Sequence, residues 1–374
     1  MRDQLRQMFH AGIAACHPET VLPAHLPAEP PRVVLAIGKA AGAMARVAEA
    51  HYPGVGGIAV VPHGHNAVLE RMELLHAGHP VPDEHSVAAA ERLLALAQGG
   101  GALVLLSGGA SALACLPGDG VTLADKRMIT GALLRSGAAI ADINCVRRHM
   151  SRIKGGRLPA ALTLAISDVV GDRPEDIGSG PTAADPTTVA DARAILERHG
   201  LDAPLTETAR HVAGEFGLAA SAADLLAAAA TAAERLGYRP VLIGQCTGEA
   251  STVGRAHAEL ARGLPPGSAL ISGGELTVTV TGTGRGGPNL EYALAAAACL
   301  ADRPDIQGLA ADSDGLDGSS GAAGAFFSGA DAGGAGALQG HDSAAWFAAA
   351  GGLFSPGPTG TNVNDLRIIL VAHV

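Results

Sequence analysis

A glycine-rich turn near the start of the chain contains a lysine, and this combination is suited to binding an anion. The segment Ala36-Ile37-Gly38-Lys39-Ala40-Ala41-Gly42 follows a short apolar run and opens a helical pattern. Such a turn points backbone N–H groups and the positive end of the helix at an anion, and Lys39 adds a mobile charge. The segment lacks the dinucleotide fingerprint G-x-G-x-x-G and the phosphate loop of P-loop NTPases. It predicts either an anion site or an ordinary strand-to-helix turn.

The tripeptide Ser-Gly-Gly follows an apolar run at two places in the chain. The first set is Ser107, Gly108 and Gly109 with Ser111 shortly after, and the second is Ser272, Gly273 and Gly274 followed by Glu275. Paired glycines let a phosphate approach the backbone, and the serine hydroxyls can donate hydrogen bonds. The alternative for each set is a turn whose serine caps a helix.

A basic segment and an acidic residue follow in the first half of the chain. The only dense basic segment of this acidic protein spans residues 144–156 and includes Lys154. It suits a phosphate or carboxylate ligand, with a solvated helix face as the alternative. Asp168 comes one residue after an apolar run, where open α/β sheets place ligand or Mg²⁺ contacts, although an aspartate there can also cap a turn.

The second half of the chain adds a cation, carboxylates and neutral amides. Arg285 lies in a loop of residues 281–289 that is too glycine-rich to pack, and such loops are mobile or functional. Asp312 and Asp314 belong to a run that superficially suggests a calcium loop, but the run lacks the required glycine and bidentate glutamate, so an EF-hand is rejected. Asn362 and Asn364 lie in a polar turn, where their amides contact a ligand or cap the turn.

Composition excludes several classes of function. The net charge is −10 and Arg147-Arg148 is the longest basic run, so nucleic acid is not expected as a partner. Five scattered cysteines without a C-x-x-C pair fit a reducing cytoplasm, and the 15 histidines show no familiar metal-ligand spacing. We expect no signal peptide and no membrane span.

The elements that must position these residues alternate between short apolar runs and longer alanine-rich helical patterns. This alternation predicts an α/β fold with a mostly parallel sheet. Proline and glycine punctuation at residues 263–267 suggests a boundary, which predicts domains 1–262 and 263–374. The glycine- and alanine-rich stretch 319–340 is predicted to be a surface loop.

Taken together and in order, these motifs resemble the glycerate 2-kinase family, whose members carry a MOFRL domain and were also labelled hydroxypyruvate reductases. The resemblance covers nearly the whole chain. The matching segments are residues 37–40, 106–111, 148–156, 167–172, 271–275 and 357–366. The resemblance implies a Rossmann-like N-terminal domain and a smaller α/β MOFRL domain.

The resemblance also implies the reaction. It predicts ATP- and Mg²⁺-dependent phosphorylation of the 2-hydroxyl of D-glycerate, with Lys39, Glu275, Arg285, an acid in the Asp312 segment, and Asn364 at the site. We expect Lys39 to hold phosphoryl charge and Arg285 to hold that charge or the glycerate carboxylate. Asp312 is expected to accept the hydroxyl proton or hold Mg²⁺, for which Asp168 and Asp314 are further candidates. A homodimer is expected, as the commonest oligomer.

The arginine loop departs from the family pattern. Pro288 and Leu290 replace an arginine and a glutamine, so one expected cation is missing. Two alternative functions stay open: an NAD(P)H-dependent hydroxypyruvate reductase, which the family's older label suggests, and a non-catalytic sensor of sugar acids or nucleotides, which the loop departure favours. The missing dinucleotide fingerprint opposes the reductase.

Overall fold

The computed structural model describes residues 1–373, which fall into two compact units. The first unit is Pro18–Ala219, and the second combines Met1–His17 with the chain from Ala220 onward. Helix α1 (Arg2–Ala15) therefore belongs to the second unit although it begins the chain.

The first unit is built on one sheet with the strand order β3-β2-β1-β4-β5-β6. The six strands are β1 (Val33–Ile37), β2 (Gly57–Pro62), β3 (Met72–Ala77), β4 (Ala102–Leu106), β5 (Leu162–Ile166) and β6 (Glu215–Ala220). The first five strands pair in parallel. Every residue of the central strands β1 and β4 is buried, as expected of a parallel sheet covered on both faces.

Seven helices accompany this sheet. They are α2 (Pro18–Val21), α3 (Ala41–His51), α4 (Glu84–Ala97), α5 (Ala110–Leu113), α6 (Leu123–Arg135), α7 (Ile140–His149) and α8 (Val189–Arg198). Asp83, Thr122 and Thr188 begin α4, α6 and α8 with capping boxes. Each such cap stabilises its helix by about 1 kcal/mol.

The second unit contains a mixed sheet with the order β13-β12-β11-β14-β9-β7 and a small parallel pair, β8 with β10. The strands are β7 (Arg239–Gln245), β8 (Gly248–Glu249), β9 (Ser268–Gly274), β10 (Leu276–Thr277), β11 (Ile306–Asp312), β12 (Gly324–Ser328), β13 (Leu353–Phe354) and β14 (Asp365–Val371). Strand β14 runs antiparallel to both β9 and β11. The start of β14 therefore lies between the ends of its two neighbours.

Five further helices complete the second unit with α1. They are α9 (Ala222–Arg235), α10 (Ala250–Arg262), α11 (Pro288–Cys299), α12 (Ala335–Gln339) and α13 (Ser343–Ala350). Residues Asn289 to Ala297 of α11 are all buried, so this helix forms part of the core. Within residues 1–373, no helix combines the length and apolar character that crossing a bilayer requires.

The predicted α/β class with a mostly parallel sheet is confirmed, but several finer expectations differ from the structure. The compact units divide at residues 219 and 220 instead of 262 and 263, because β7 pairs with β9 and therefore joins the second sheet. The prolines and glycines at 263–267 form a turn between α10 and β9.

The stretch 319–340 is also more ordered than a surface loop. Strand β12 and helix α12 lie within it, and Phe326 and Phe327 of β12 are buried. Because this stretch is rich in glycine and alanine, its sequence pattern does not predict strand β12. Small residues are needed there because a Cβ on Gly324 would lie 1.9 Å from the carbonyl oxygen of Ala310.

Candidate functional site

In the first unit, β1 and β4 end side by side in the two glycine-rich turns. The strand order reverses at this pair, with β2 beyond β1 and β5 beyond β4. Open α/β sheets bind ligands outside the carboxyl ends of strands at such a switch point. The backbone N–H of Lys39 donates to the carbonyl oxygen of Gly108 at 2.8 Å, and that of Ala40 donates to Ser107 Oγ at 3.1 Å. The two turns therefore form one connected surface.

Two glycines are required for this close approach. Gly38 has a φ of 135°, and a Cβ there would lie 2.1 Å from Ser107 Oγ. Gly109 has a φ of 84°, and its Cβ would lie 3.0 Å from the ring of His79 and 3.5 Å from Cγ of Lys39. His79 therefore borders the same turn. His79 is not evident as a site residue from the sequence, because the pattern of the preceding strand β3 does not predict a strand.

Ser111 and Lys154 are in contact beneath the turn of residues 107–109. The buried ammonium of Lys154 donates to the carbonyl oxygens of Ser111 at 2.7 Å, Ala114 at 3.2 Å and Gly178 at 3.4 Å. Burial lowers the pKa of Lys154 to about 7. This is the geometry of a side chain that holds the main chain together, and it differs from the ligand contact that the sequence predicts. Ser111 Oγ lies 2.8 Å from Ser179 Oγ.

Arg148 of the basic segment is also engaged internally, whereas Arg152 is exposed. Arg148 is 2% exposed, and its guanidinium lies 2.9 Å from Asp185 and 3.4 Å from Asp176. Arg157 donates to the carbonyl oxygens of Arg148 and Thr206. Arg148 and Lys154, with Arg157 just beyond the segment, therefore belong to a network of ion pairs and carbonyl contacts that neither of the two predicted alternatives describes. The carboxylates that neutralise it lie distant in sequence.

Asp168 lies at the same edge of the sheet as the two turns. It follows β5, which pairs in parallel with β4, and its side chain is partly buried. The preceding residue, Ser167, accepts the N–H of Val169 through its hydroxyl. The position of Asp168 fits the predicted contact to a ligand or a metal ion.

In the second unit, the antiparallel register brings three motifs into one row. Asp365 at the start of β14 lies opposite Gly274 on β9 and opposite Asp312 on β11. Glu275, Asn364 and Asp312 are therefore neighbours along one end of the sheet, although they lie far apart in the sequence. The sequence predicted these residues as candidates, but only the register shows that they converge.

The Asp312 loop and the asparagine turn are bonded to each other. The N–H of Ser313 donates to the carbonyl oxygen of Asn364 at 3.2 Å, and Ser313 Oγ accepts the N–H of Val363 at 2.9 Å. Asp312 accepts the N–H of Asp314 at 2.9 Å. Asn362 lies in the same buried turn as Asn364, which has a φ of 74°.

The second Ser-Gly-Gly set forms the end of strand β9 and not the predicted turn, and it is fixed from within. The carbonyl oxygens of Gly273 and Gly274 accept hydrogen bonds from the buried guanidinium of Arg367, each at 2.9 Å. Ser272 is buried, and its Oγ lies 3.5 Å from the His257 ring. Burial and the charge of Arg367 lower the pKa of His257 to about 4. The exposed member of this motif is Glu275.

Arg285 is exposed on the glycine-rich loop, and its backbone is anchored. Its N–H donates to Asp342 at 3.1 Å, and its guanidinium donates to the carbonyl oxygen of Ser319 at 3.1 Å. A cation in this position is held in a preferred orientation while it stays accessible to solvent.

A buried carboxylate that the sequence analysis did not select supports this loop. Asp317 accepts the N–H groups of Asn289 and Leu290 at 3.1 and 2.9 Å, at the first turn of α11. Asn289 also donates to Asp365 at 2.7 Å. Burial and the charge of Asp365 raise the pKa of Asp317 to about 7. The asparagine thus joins the end of the arginine loop to the start of β14.

The predicted magnesium ligands lie in different units, with Asp168 in the first and Asp314 in the second. Both are carboxylates, the donor type that Mg²⁺ prefers. Asp314 is partly buried beside Asp312, whose Oδ1 accepts its N–H. Each of these two side chains, taken in its own unit, is therefore of a donor type that fits this ion.

Comparison with known proteins gives matches over the full chain. Residues 4–213 match a domain of unknown function, DUF4147, and residues 268–365 match the MOFRL family. A protein from Agrobacterium vitis, provisionally named a hydroxypyruvate reductase, is 44% identical over 99% of this chain and 94% of its own length.

Two matches from Thermotoga maritima have kinase names. A D-glycerate 2-kinase is 38% identical over 91% of this chain and 90% of its own length. A crystal structure described as glycerate kinase superposes with a TM-score of 0.88 at 35% identity, covering 99% of both chains. These findings confirm the resemblance inferred from the motifs.

Proposed function

The chain belongs to the glycerate 2-kinase family with a MOFRL domain, and on this premise we propose that it transfers the γ-phosphoryl group of ATP to the 2-hydroxyl of D-glycerate. The products are 2-phosphoglycerate and ADP. The observation that carries the proposal is the pair of glycine-rich turns at the switch point of the first sheet, with Lys39 in one of them. Backbone N–H groups and a cation at that place suit a phosphate chain.

In the first unit, Lys39 stabilises the charge that develops on the transferring phosphoryl group. Ser107, Gly108 and Gly109 line the turn beside it, with Ser111 at the start of α5. Phosphoryl transfer requires mainly positioning and charge neutralisation, so a hydrogen-bonded turn that carries a cation is suitable. Lys154 acts beneath the turn as a positioning residue.

In the second unit, Asp312 accepts the proton of the attacking hydroxyl or holds the metal ion. The oxygen of that hydroxyl forms the new bond to phosphorus while the bond to the β-phosphate oxygen breaks, and ADP leaves. Arg285 holds phosphoryl charge or the glycerate carboxylate. The remaining candidates for binding are Ser272, Gly273, Gly274, Glu275, Asn362 and Asn364.

Mg²⁺ completes the proposed chemistry as a cofactor. When bound, it neutralises charge on the phosphate oxygens. Asp168 in the first unit and Asp314 in the second are separately proposed as candidate protein ligands, and Asp312 is the alternative. We further propose that the protein is a cytoplasmic homodimer, which its five free thiols and the frequency of such dimers support.

The experiment that tests the proposed function measures ADP release from ATP with D-glycerate and Mg²⁺. A parallel reaction with NADH and hydroxypyruvate tests the activity named for the Agrobacterium vitis relative. Glycerate-dependent ADP release with no NADH oxidation supports the kinase. Calorimetric binding of glycerate and ATP without turnover identifies a sensor, and NADH oxidation alone identifies a reductase.

A further inference from the structure

Two histidines and an aspartate form a cluster in the first unit that the proposed kinase reaction does not use. His63, Asp83 and His85 each offer one ligand atom, and these atoms all lie within 4.8 Å of one another. His63 follows β2, Asp83 is the N-cap of α4, and His85 lies in the first turn of α4. Histidine spacing in the sequence conceals this cluster, because His63 and His85 come from separate elements.

The carboxylate of Asp83 is divided between two roles. Its Oδ1 accepts the N–H groups of Ser86 and Gly78, each at 2.9 Å, which fixes the carboxylate on the backbone. Its Oδ2 faces the imidazoles, with His63 Nε2 at 2.6 Å and His85 Nδ1 at 3.6 Å. Two ring nitrogens therefore converge on one oxygen that is already held in place.

We propose that His63, Asp83 and His85 form a binding site for a divalent transition-metal ion of the zinc class. Two imidazole nitrogens, one carboxylate oxygen and a water molecule make a common four-coordinate zinc set. Imidazole ligands favour zinc, nickel or copper over Mg²⁺, so the site is chemically separate from that of the kinase cofactor.

The observed separations are close to those that a metal ion requires. Ligand atoms about 2.0–2.2 Å from a tetrahedral zinc ion are about 3.3–3.6 Å apart. The distance from His85 Nδ1 to Asp83 Oδ2 is 3.6 Å, and that from His63 Nε2 to the same oxygen must increase from 2.6 Å. The His63 side chain is 52% exposed and that of His85 is 71% exposed, so both rings can make this adjustment.

Occupancy of the site has a structural consequence. The metal ion would join the end of β2 to the start of α4 and so enclose the loop of residues 78–82. That loop contains His79, whose ring borders the Gly109 turn. A bound ion would therefore restrict the loop that carries His79.

The test uses tag-free protein and the metal ions alone. Co²⁺ is added to report coordination by its visible absorption, and Zn²⁺ affinity is measured by competition with a chromophoric chelator. Wild-type protein is expected to bind one equivalent, and His63→Ala and His85→Ala are each expected to lose at least about tenfold in affinity. His51→Ala, which removes an exposed histidine elsewhere in the same unit, is the matched control and should bind as wild type does.

A further variant separates coordination from folding. Asp83→Asn keeps an oxygen that can cap α4 but removes the anionic ligand. It is expected to retain the helical circular dichroism of wild type while Zn²⁺ affinity falls. The proposal is overturned if wild type binds no more tightly than the His63→Ala/His85→Ala double variant, or if His51→Ala weakens binding as much as His63→Ala does.

Discussion

At the scale of single residues, Lys39 differs from the other two lysines of the chain. Lys126 and Lys154 are buried, with their ammonium groups bonded to carbonyl oxygens, whereas Lys39 is only partly buried in the turn after β1. Because the other two lysines are buried, Lys39 is the lysine whose position is suitable for contact with a substrate.

Replacing Lys39 by alanine is expected to lower kcat by about 10²-fold, because a group that stabilises the transition state contributes mainly to kcat. Steady-state kinetics with ATP and D-glycerate check this. Arg152→Ala, which removes an exposed cation of the same unit, should leave kcat near the wild-type value. Near-normal turnover of Lys39→Ala would exclude the lysine from catalysis.

Arg285→Ala is expected to lower kcat/KM by about 10²-fold. The division of this loss identifies the partner of the guanidinium. A fall in kcat indicates the phosphoryl group, and a rise in KM for glycerate indicates the carboxylate. Arg255→Ala, an exposed arginine on α10, serves as the control. Unchanged kinetics for Arg285→Ala would contradict both roles.

Asp317 gives a pH dependence with a defined sign. Its pKa is raised to about 7 in the folded state, so the folded protein binds this proton more tightly than the unfolded chain. The resulting stability is full below about pH 4 and is lost as the pH rises through about 7.

Between pH 7 and pH 5, the free energy of unfolding of wild type should therefore rise by about 2 kcal/mol relative to Asp317→Asn. Urea denaturation at several pH values measures this difference. Asp119→Asn, at an exposed aspartate, should show no such relative change. A difference between wild type and Asp317→Asn that is constant with pH would argue against the raised pKa.

At the scale of elements, Lys154 holds together parts of the first unit that the sequence does not connect. Its ammonium donates hydrogen bonds to two carbonyl oxygens, of Ser111 in α5 and Ala114 just after it, and to a third at Gly178. The prediction of a ligand contact rested on charge alone, and charge does not show whether a side chain points inward. The sequence therefore identified the basic segment but not the structural role of its lysine.

Lys154→Met should lower the free energy of unfolding by about 3 kcal/mol, because three buried carbonyls lose a donor. Urea denaturation measures the loss, with Arg152→Met as the exposed neighbouring control. A variant that keeps wild-type stability and loses only ATP affinity would restore the predicted ligand contact.

The elements themselves were predictable to different degrees. Strands β1 and β4 are buried on both faces, so their unbroken apolar runs identify them from sequence. Strand β3 mixes Glu73 and His76 with apolar residues because one side of it is a sheet edge, and β12 is rich in small residues. Neither has a pattern that distinguishes it from a loop.

At the scale of the whole molecule, the order of motifs indicated the family, and chain-long similarity confirms it. Lys39 was predictable because it follows the apolar run that forms β1, whereas Asp312 was selected from its acidic run and the family resemblance without a prediction of β11. Two residues were not evident from the sequence: His79, which follows an unpredicted strand, and Asp317, whose role depends on burial and partners distant in sequence.

The most direct test of the proposed kinase function is phosphorus NMR of the product formed from ATP, Mg²⁺ and D-glycerate. Its coupling pattern identifies the carbon that carries the phosphate. We predict a single product, 2-phosphoglycerate, formed together with ADP. Phosphate on the 3-hydroxyl, or no phosphorylated glycerate while both substrates bind, would contradict the proposed reaction.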